Sequence, residues 1–139
     1  MRYIKIVFVP ILIFASIYIL IYQPQILEIP VFKSLNLPLG SLISWLLVFL
    51  IPMFFYLNLG FRSDSKAQQW LKIILKVNIL VSLLWGFISY LIAGNWNFIF
   101  TNNTGLMRWI GFTTIIVITP LLIFLFWVVL KLIRLFQKE

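Results

Sequence analysis

Residues 70–93 read WLKIILKVNILVSLLWGFISYLIA, and this run indicates the class of the protein. Beyond Lys76 the run carries no charge, and the turn-forming pair Gly94 and Asn95 follows it. A bilayer with a hydrocarbon core about 30 Å thick requires roughly 20 apolar residues of a spanning helix. The run supplies them, so we predict a transmembrane helix over residues 70–93.

Three further apolar runs of similar length lie on either side of this one. Segments rich in proline, glycine or polar residues separate them, which ends each helix before the next begins. The predicted spans are residues 3–22, 41–58, 70–93 and 107–130. Pro10, Pro52 and Pro120 lie inside three of the spans, where neighbouring helices tolerate a kink. The chain, residues 1–139, is therefore predicted to be one all-α domain of four transmembrane helices.

The composition excludes a soluble fold of this length. The chain is 63% hydrophobic and 10% charged, and its mean hydropathy is +1.12. A small soluble domain leaves much of its surface in water and cannot hide so much apolar area. The net charge of +8 would suggest nucleic acid in a soluble protein. Here the basic residues flank apolar runs, as in membrane proteins, so we expect membrane lipids and no nucleic acid as partners.

The basic residues lie mostly on one side of the predicted spans. The other side has only Lys33 and Arg108. The rich side has nine: Arg2, Lys5, Arg62, Lys66, Lys72, Lys76, Lys131, Arg134 and Lys138. Lys and Arg beside span ends mark the cytoplasmic side. We therefore predict cytoplasmic N- and C-termini and two short external loops (residues 23–40 and 94–105). The simple topology and the usage of Ile, Phe, Asn and Lys favour a bacterial inner membrane, or an organelle of bacterial descent, as the location.

The connections between the spans contain patterned segments. Residues 26–32 are partly apolar, which predicts a segment in the headgroup layer or a short strand-like cap. Residues 95–101 alternate polar and aromatic side chains, as in a half-buried strand or an interfacial segment. On the cytoplasmic side, Asp64 or Ser65 is expected to cap the third helix. Aromatic belts are expected at both interfaces, with Trp96, Trp109, Tyr22 and Tyr90 outside and Trp70, Tyr3 and Trp127 inside.

The titratable residues do not assemble into a catalytic group. Glu28 falls in an external loop, Asp64 in a cytoplasmic turn and Glu139 at the C-terminus, so no two carboxylates meet. The sequence has no cysteine and no histidine, which excludes thiolate chemistry and the usual zinc and haem ligands. Lys76 and Ser82, six residues apart, lie on opposite faces of a helix. We expect no enzyme activity, no cofactor and no metal site.

Small and polar residues recur every three or four positions along the third span. They are Asn78, Ser82, Gly86, Ser89 and Ala93, and this set is called the seam. The spacing places them on one helical face, where small side chains let another helix approach closely. We interpret the seam as a helix-packing surface, with another span or another protein as its partner. The alternative is the polar lining of a pore or of a path for lipid headgroups.

Three basic residues near span ends have two interpretations. Lys72 and Lys76 are spaced i,i+4 on one helical face, and Arg108 lies at the external start of the fourth span. Long basic side chains near a membrane boundary extend to the headgroups without any further role. The functional interpretation is that they hold an anionic headgroup or an acidic group of a partner.

These features favour a small, non-catalytic subunit or accessory component of a membrane complex, acting by helix packing and lipid contact. Its partner would be another membrane protein or a second copy of the chain. The main alternative is a small transporter, channel or flippase-like protein for an anion or an amphiphile. In that case Lys72, Lys76, Asn78 and Arg108 would be its polar contacts. The absence of an acid from every span argues against proton coupling.

Overall fold

The computed structural model describes residues 2–32, 34–61 and 65–136, and this part is helical apart from a two-stranded hairpin and loops. The helices are α1 (Arg2–Tyr22), α2 (Pro24–Leu27), α3 (Leu39–Asn58), α4 (Lys66–Ala93) and α5 (Asn103–Phe136). The strands are β1 (Pro30–Phe32) and β2 (Leu37–Pro38). The description does not include Lys33, Arg62, Asp64, Lys138 and Glu139, nor the side chains of Arg2, Tyr3 and Lys5.

Three of the helices, α3, α4 and α5, are long and apolar enough to cross a membrane. The residues Val7–Tyr22 of α1 form a shorter apolar helix. At 1.5 Å per residue the 20 residues of α3 measure about 30 Å, which equals the hydrocarbon thickness. The 28 residues of α4 and the 34 of α5 make helices longer than that thickness. The chain is therefore all-helical in class, with several helices of spanning length.

The ends of the predicted spans and of the helices agree at Tyr22, Asn58 and Ala93. α4 begins at Lys66, four residues before the predicted span, and α5 extends past its predicted span at both ends. Hydrophobicity marks only the part of a helix that lies in lipid, whereas Lys, Arg and Gln favour helix and prolong it into water.

Local hydrogen bonds define the end of α4 and the start of α5. Gly94 ends α4 in the left-handed conformation (φ 73°), and its N–H donates to the Tyr90 carbonyl at 2.7 Å. Ser65 occupies the N-cap position of α4 but makes no side-chain capping bond, and the other predicted cap, Asp64, lies outside the described residues. At the start of α5, the Asn102 Oδ1 accepts a hydrogen bond from the Gly105 N–H at 2.6 Å. Asn102 thus stabilises the first turn of α5.

The long helices form a bundle in which α3 contacts α1, α4 and α5, and α4 also contacts α5. Its buried core has two clusters, one towards each end. Val48, Trp85 and Ile116 form the cluster nearer the strands, at the end called here the hairpin end. Leu59, Leu75 and Ile123 form the other, at the end called the stem end. Each cluster joins α4 and α5 to α3 or to the residue that follows it.

The connection between α1 and α3 crosses the hairpin end. α2 is a single helical turn, and β1 and β2 then pair antiparallel, with the Leu39 N–H donating to the Ile29 carbonyl at 2.9 Å. The segment 26–32 is therefore extended only in its second half. Leu37 is buried beneath the hairpin, whereas the whole of β1 is exposed.

Candidate functional site

The seam faces the interior of the bundle. Asn78, Ser82, Gly86 and Ser89 are buried, and Ala93 is half-buried. The side chains that meet them come from α3 and α5 of the same chain. At these four buried positions the seam therefore packs against helices of its own chain and not against another protein.

Gly86 makes room for an indole from α3. A Cβ placed at Gly86 would overlap the Trp45 ring, so only glycine fits this position without a shift. The Trp45 Nε1 donates to the carbonyl oxygens of Ser82 at 3.2 Å and Leu83 at 3.0 Å, one turn earlier in α4. The small residue therefore accommodates a ring that also bonds the facing backbone. No periodic signal in the sequence marks Trp45 for this role.

Tryptophan and hydroxyl side chains join α4 to α5. The Trp109 Nε1 donates to the Ser89 Oγ at 2.9 Å, and the Trp85 Nε1 donates to the Thr113 Oγ1 at 3.0 Å. The Thr113 hydroxyl in turn donates to the Trp109 carbonyl at 2.8 Å. Trp109 was predicted to belong to an interfacial belt, but its indole N–H points into the bundle. Hydrogen bonds between helices in lipid are worth about 1 kcal/mol each.

Asn78 donates a hydrogen bond to a carbonyl of α5 that lacks its helical donor. Pro120 has no N–H, so the Ile116 carbonyl four residues earlier lacks its usual helical donor. The Asn78 Nδ2 donates to that carbonyl at 3.2 Å. Pro120 is fully buried, and the bond lies deep in the bundle, where water cannot replace it. The Oδ1 of Asn78 finds no donor among the described residues.

The loop between α4 and α5 covers the hairpin end. The Asn95 side chain bonds the Ala93 carbonyl and both the N–H and the carbonyl of Ile99, which closes the loop on itself. Residues 95–101 contain no strand, so the strand interpretation is wrong. Its aromatic rings instead pack on rings of α4 and α5, in the pairs Trp96 with Tyr90, Phe98 with Trp85, and Phe100 with Trp109.

A cavity of about 860 Å³ lies beneath this loop and the α1–α3 connection. Leu20 of α1, Ser44 and Val48 of α3, and Trp109 of α5 contribute to its wall. Most of the wall is apolar, and the polar part comes from Glu28, Ser41, Ser44, Asn97 and Thr113. No local sequence pattern predicts this site, because its wall is assembled from α1, α3, α4, α5 and both loops.

None of the three basic candidates belongs to the seam, and none is among the described residues of the cavity wall. Lys72, Lys76 and Arg108 are all exposed. Leu75 packs with Leu59, the residue after α3, so Lys76 is level with the end of α3. Arg108 lies at the hairpin end, far along the bundle from both lysines. The structure therefore does not assemble these bases and Asn78 into one site.

The stem end has a basic contact that the sequence analysis did not identify. The Lys131 Nζ lies 4.1 Å from the centroid of the Trp127 ring, one turn earlier in α5. A cation over an indole face is attracted by its electrons and contributes about 0.5–1 kcal/mol at an exposed site. The i,i+4 spacing of Trp127 and Lys131 is the signal that would have found it.

Comparison with known proteins adds no functional assignment. No protein-family model, curated protein or solved structure matches the chain. Within the described ranges, no three His, Cys, Asp or Glu residues are grouped as they would be to hold a metal ion. Function must therefore be argued from the geometry of the seam, the cavity and the helix surfaces.

Proposed function

We propose that the chain crosses a bacterial inner membrane four times, with both termini in the cytoplasm. The distribution of described basic residues supports this orientation. Arg108 lies at the hairpin end, whereas Lys66, Lys72, Lys76, Lys131 and Arg134 lie towards the stem end. The positive-inside rule then puts the stem end in the cytoplasm. The 21 residues of α1 are sufficient to cross as the fourth span.

We further propose that the protein is a non-catalytic accessory component of a membrane complex. The observation that carries this proposal is that the polar groups of the seam make their hydrogen bonds within the bundle. Ser82 donates to the Ile79 carbonyl at 2.8 Å, Ser89 accepts from Trp109, and Asn78 donates to Ile116. Trp85 lies between Ser82 and Ser89 along α4 and is only 2% exposed. This arrangement favours packing over a polar path through the bundle.

The partner surface that we propose is an apolar stripe on α1. Its members are more than half exposed and spaced by three or four residues, which places them on one helical face. They are Ile11, Phe14, Tyr18 and Ile21. α1 packs against α3 on its other side, so this stripe is available to a helix of another membrane protein.

Reporter fusions test the orientation. We expect cytoplasmic signals from a reporter after Glu139 and from one inserted at Ser65, and external signals from insertions at Ser34 and Asn97. Each expectation follows from the positive-inside rule applied to four spans. An external signal at Glu139, or a cytoplasmic one at Asn97, contradicts the four-span arrangement.

The mass of the native complex tests the accessory role. Extracted in mild detergent, the 16.4 kDa chain is expected in a complex with a stoichiometric membrane protein. Phe14→Ala with Tyr18→Ala should release that partner, whereas Phe112→Ala, at an exposed apolar position of α5, should not. A chain that runs alone or as a homo-oligomer in both cases contradicts the proposal.

The cavity favours a second candidate function, the binding or transfer of an amphiphile. Its volume falls within the range of about 300–1,000 Å³ typical of small-molecule sites. It combines an apolar wall with a few polar groups, as such sites do. Transport of a lipid by the purified protein between the leaflets of a vesicle would favour this candidate over the accessory role.

A further inference from the structure

We propose that the cavity at the hairpin end binds an amphiphile with an ammonium headgroup, its headgroup beside Glu28 and its hydrocarbon chain against α3. The inference rests on the proposed spanning of the bilayer, which puts the cavity at the level of the headgroups. It does not depend on a protein partner, so the accessory role and this site can fail separately.

The charge at the cavity opposes that of the chain as a whole. The sequence has eleven basic and three acidic residues, yet among the described residues of the cavity wall the one charged residue is Glu28. Glu28 is exposed and makes no ion pair with a described residue. A carboxylate in a wall whose other described residues are neutral attracts a cation and disfavours an anion. The cavity is therefore unsuited to the anionic solutes that the exposed lysines suggested.

Aromatic rings add a second preference for ammonium groups. Phe98, Phe100 and Trp109 all contribute to the cavity wall. Ring faces attract ammonium and quaternary ammonium cations, with tryptophan the strongest of the natural rings. A carboxylate together with several rings is the combination that recognises such headgroups in water-exposed sites. The Glu28 carboxylate and the aromatic rings of the wall thus both favour an ammonium group.

The shape of the cavity favours an amphiphile over a free amine. Its wall follows α3 from Gly40 to Val48, which is about 12 Å along a helix axis. The part of the wall formed by the long helices is apolar apart from Ser41, Ser44 and Thr113, and it includes Leu20, Leu47 and Val48. The Ser41 and Ser44 hydroxyls make no side-chain hydrogen bond with a described residue, so both are available to the glycerol oxygens of a lipid. A hydrocarbon chain gains by burial along this wall, whereas a free amine does not.

Native mass spectrometry of the purified full chain tests the site. The protein is titrated with lysophosphatidylethanolamine and with lysophosphatidylglycerol of the same chain length. We expect the ethanolamine lipid to bind about fivefold more tightly, the size of a solvent-exposed ion pair. Free ethanolamine at the same concentration should not displace it. Equal binding, tighter binding of the glycerol lipid, or displacement by free ethanolamine overturns the proposal.

Variants locate the binding and keep the test independent of folding. Glu28→Gln should abolish the preference between the two lipids, and Glu28→Asp should retain most of it. Ser44→Leu fills the cavity with an apolar side chain and should weaken both lipids at least fivefold. Thr114→Leu makes the same type of change at an exposed position of α5 outside the cavity and should leave binding unchanged. If Thr114→Leu weakens binding as much as Ser44→Leu, the lipid binds the outer surface and the cavity site is wrong.

Discussion

α4 and α1 are both apolar helices, yet they occupy very different places in the bundle. α4 buries seven residues: Gln68, Leu75, Asn78, Ser82, Trp85, Gly86 and Ser89. It exchanges hydrogen bonds with α3 and α5 through side chains of all three helices. Among the described side chains of α1, residues 7–22, only Val9 and Ser16 are buried, and none makes a hydrogen bond to another helix.

The difference teaches that hydrophobicity and bundle position have separate causes. Lipid is as apolar as a leucine side chain, so apolar residues bring a helix into the membrane but not against a particular neighbour. Small residues permit close approach, and polar ones gain a partner that lipid cannot offer. α4 has both kinds on one face. α1 has Ser16, and that residue is the polar position it buries.

The largest expected effect is at Gly86. Gly86→Leu should lower the free energy of unfolding by about 1–3 kcal/mol, because its side chain must displace the Trp45 ring. The segment stays hydrophobic, so membrane insertion should be unchanged. The measurement is unfolding in mixed detergent micelles.

Two controls sharpen the contrast between the helices. Ala15→Leu adds nearly the same volume to an exposed position of α1 and should change the free energy of unfolding by less than about 0.5 kcal/mol. Leu84→Ile keeps the volume of an exposed residue of α4 and should also do little. If Gly86→Leu costs no more than these two, the packing assignment of the seam is wrong.

A smaller effect is expected for the pairing of Asn78 with the carbonyl that Pro120 leaves free. Asn78→Ala should cost about 1 kcal/mol in the natural background. In a Pro120→Ala background the cost should fall, because residue 120 then has an N–H for the Ile116 carbonyl. A double-mutant cycle measures the difference as an interaction free energy. An interaction free energy indistinguishable from zero would show that the Asn78 hydrogen bond does not compensate for the N–H that Pro120 lacks.

The smallest effect is expected for the two exposed lysines of α4. Lys72→Gln with Lys76→Gln should leave insertion and orientation intact, since bases remain beside α1 and at the end of α5. Stability should change by less than about 0.5 kcal/mol, as for most surface substitutions. Fusion reporters and detergent unfolding measure both. Loss of the native complex in this variant alone would instead show that the lysines hold an acidic group of the partner.

The features recovered from the sequence are those that depend on one helix at a time. The seam spacing identified a face of α4, and four of its five residues are buried. Helix ends next to Gly94 and after Asn58 were also predicted, because turn residues act locally. The cap by Asn102 was not identified, although asparagine before a helix is a local signal.

The missed features depend on several elements at once. Trp45 contacts Gly86 across 41 positions of sequence, and no pattern within α3 distinguishes it from a tryptophan that faces lipid. The cavity shows the same limit, since Glu28 acquires its surroundings from α3 and from the loop before α5. The Trp109 hydrogen bond shows this limit too, because an indole near a span end has the same local pattern whether its N–H faces headgroups or Ser89.

By itself the sequence determined that the chain has the apolar composition of a membrane protein, how many apolar runs it has, and how its basic residues are distributed around them. Each of these depends on composition within a window about as long as the membrane is thick, so it can be read without a fold. Only the tertiary structure decided which helices α4 packs against, which carbonyl Asn78 donates to and where a cavity remains. In lipid such choices depend on side-chain shape and on single hydrogen bonds between distant residues, and hydrophobicity does not distinguish between them.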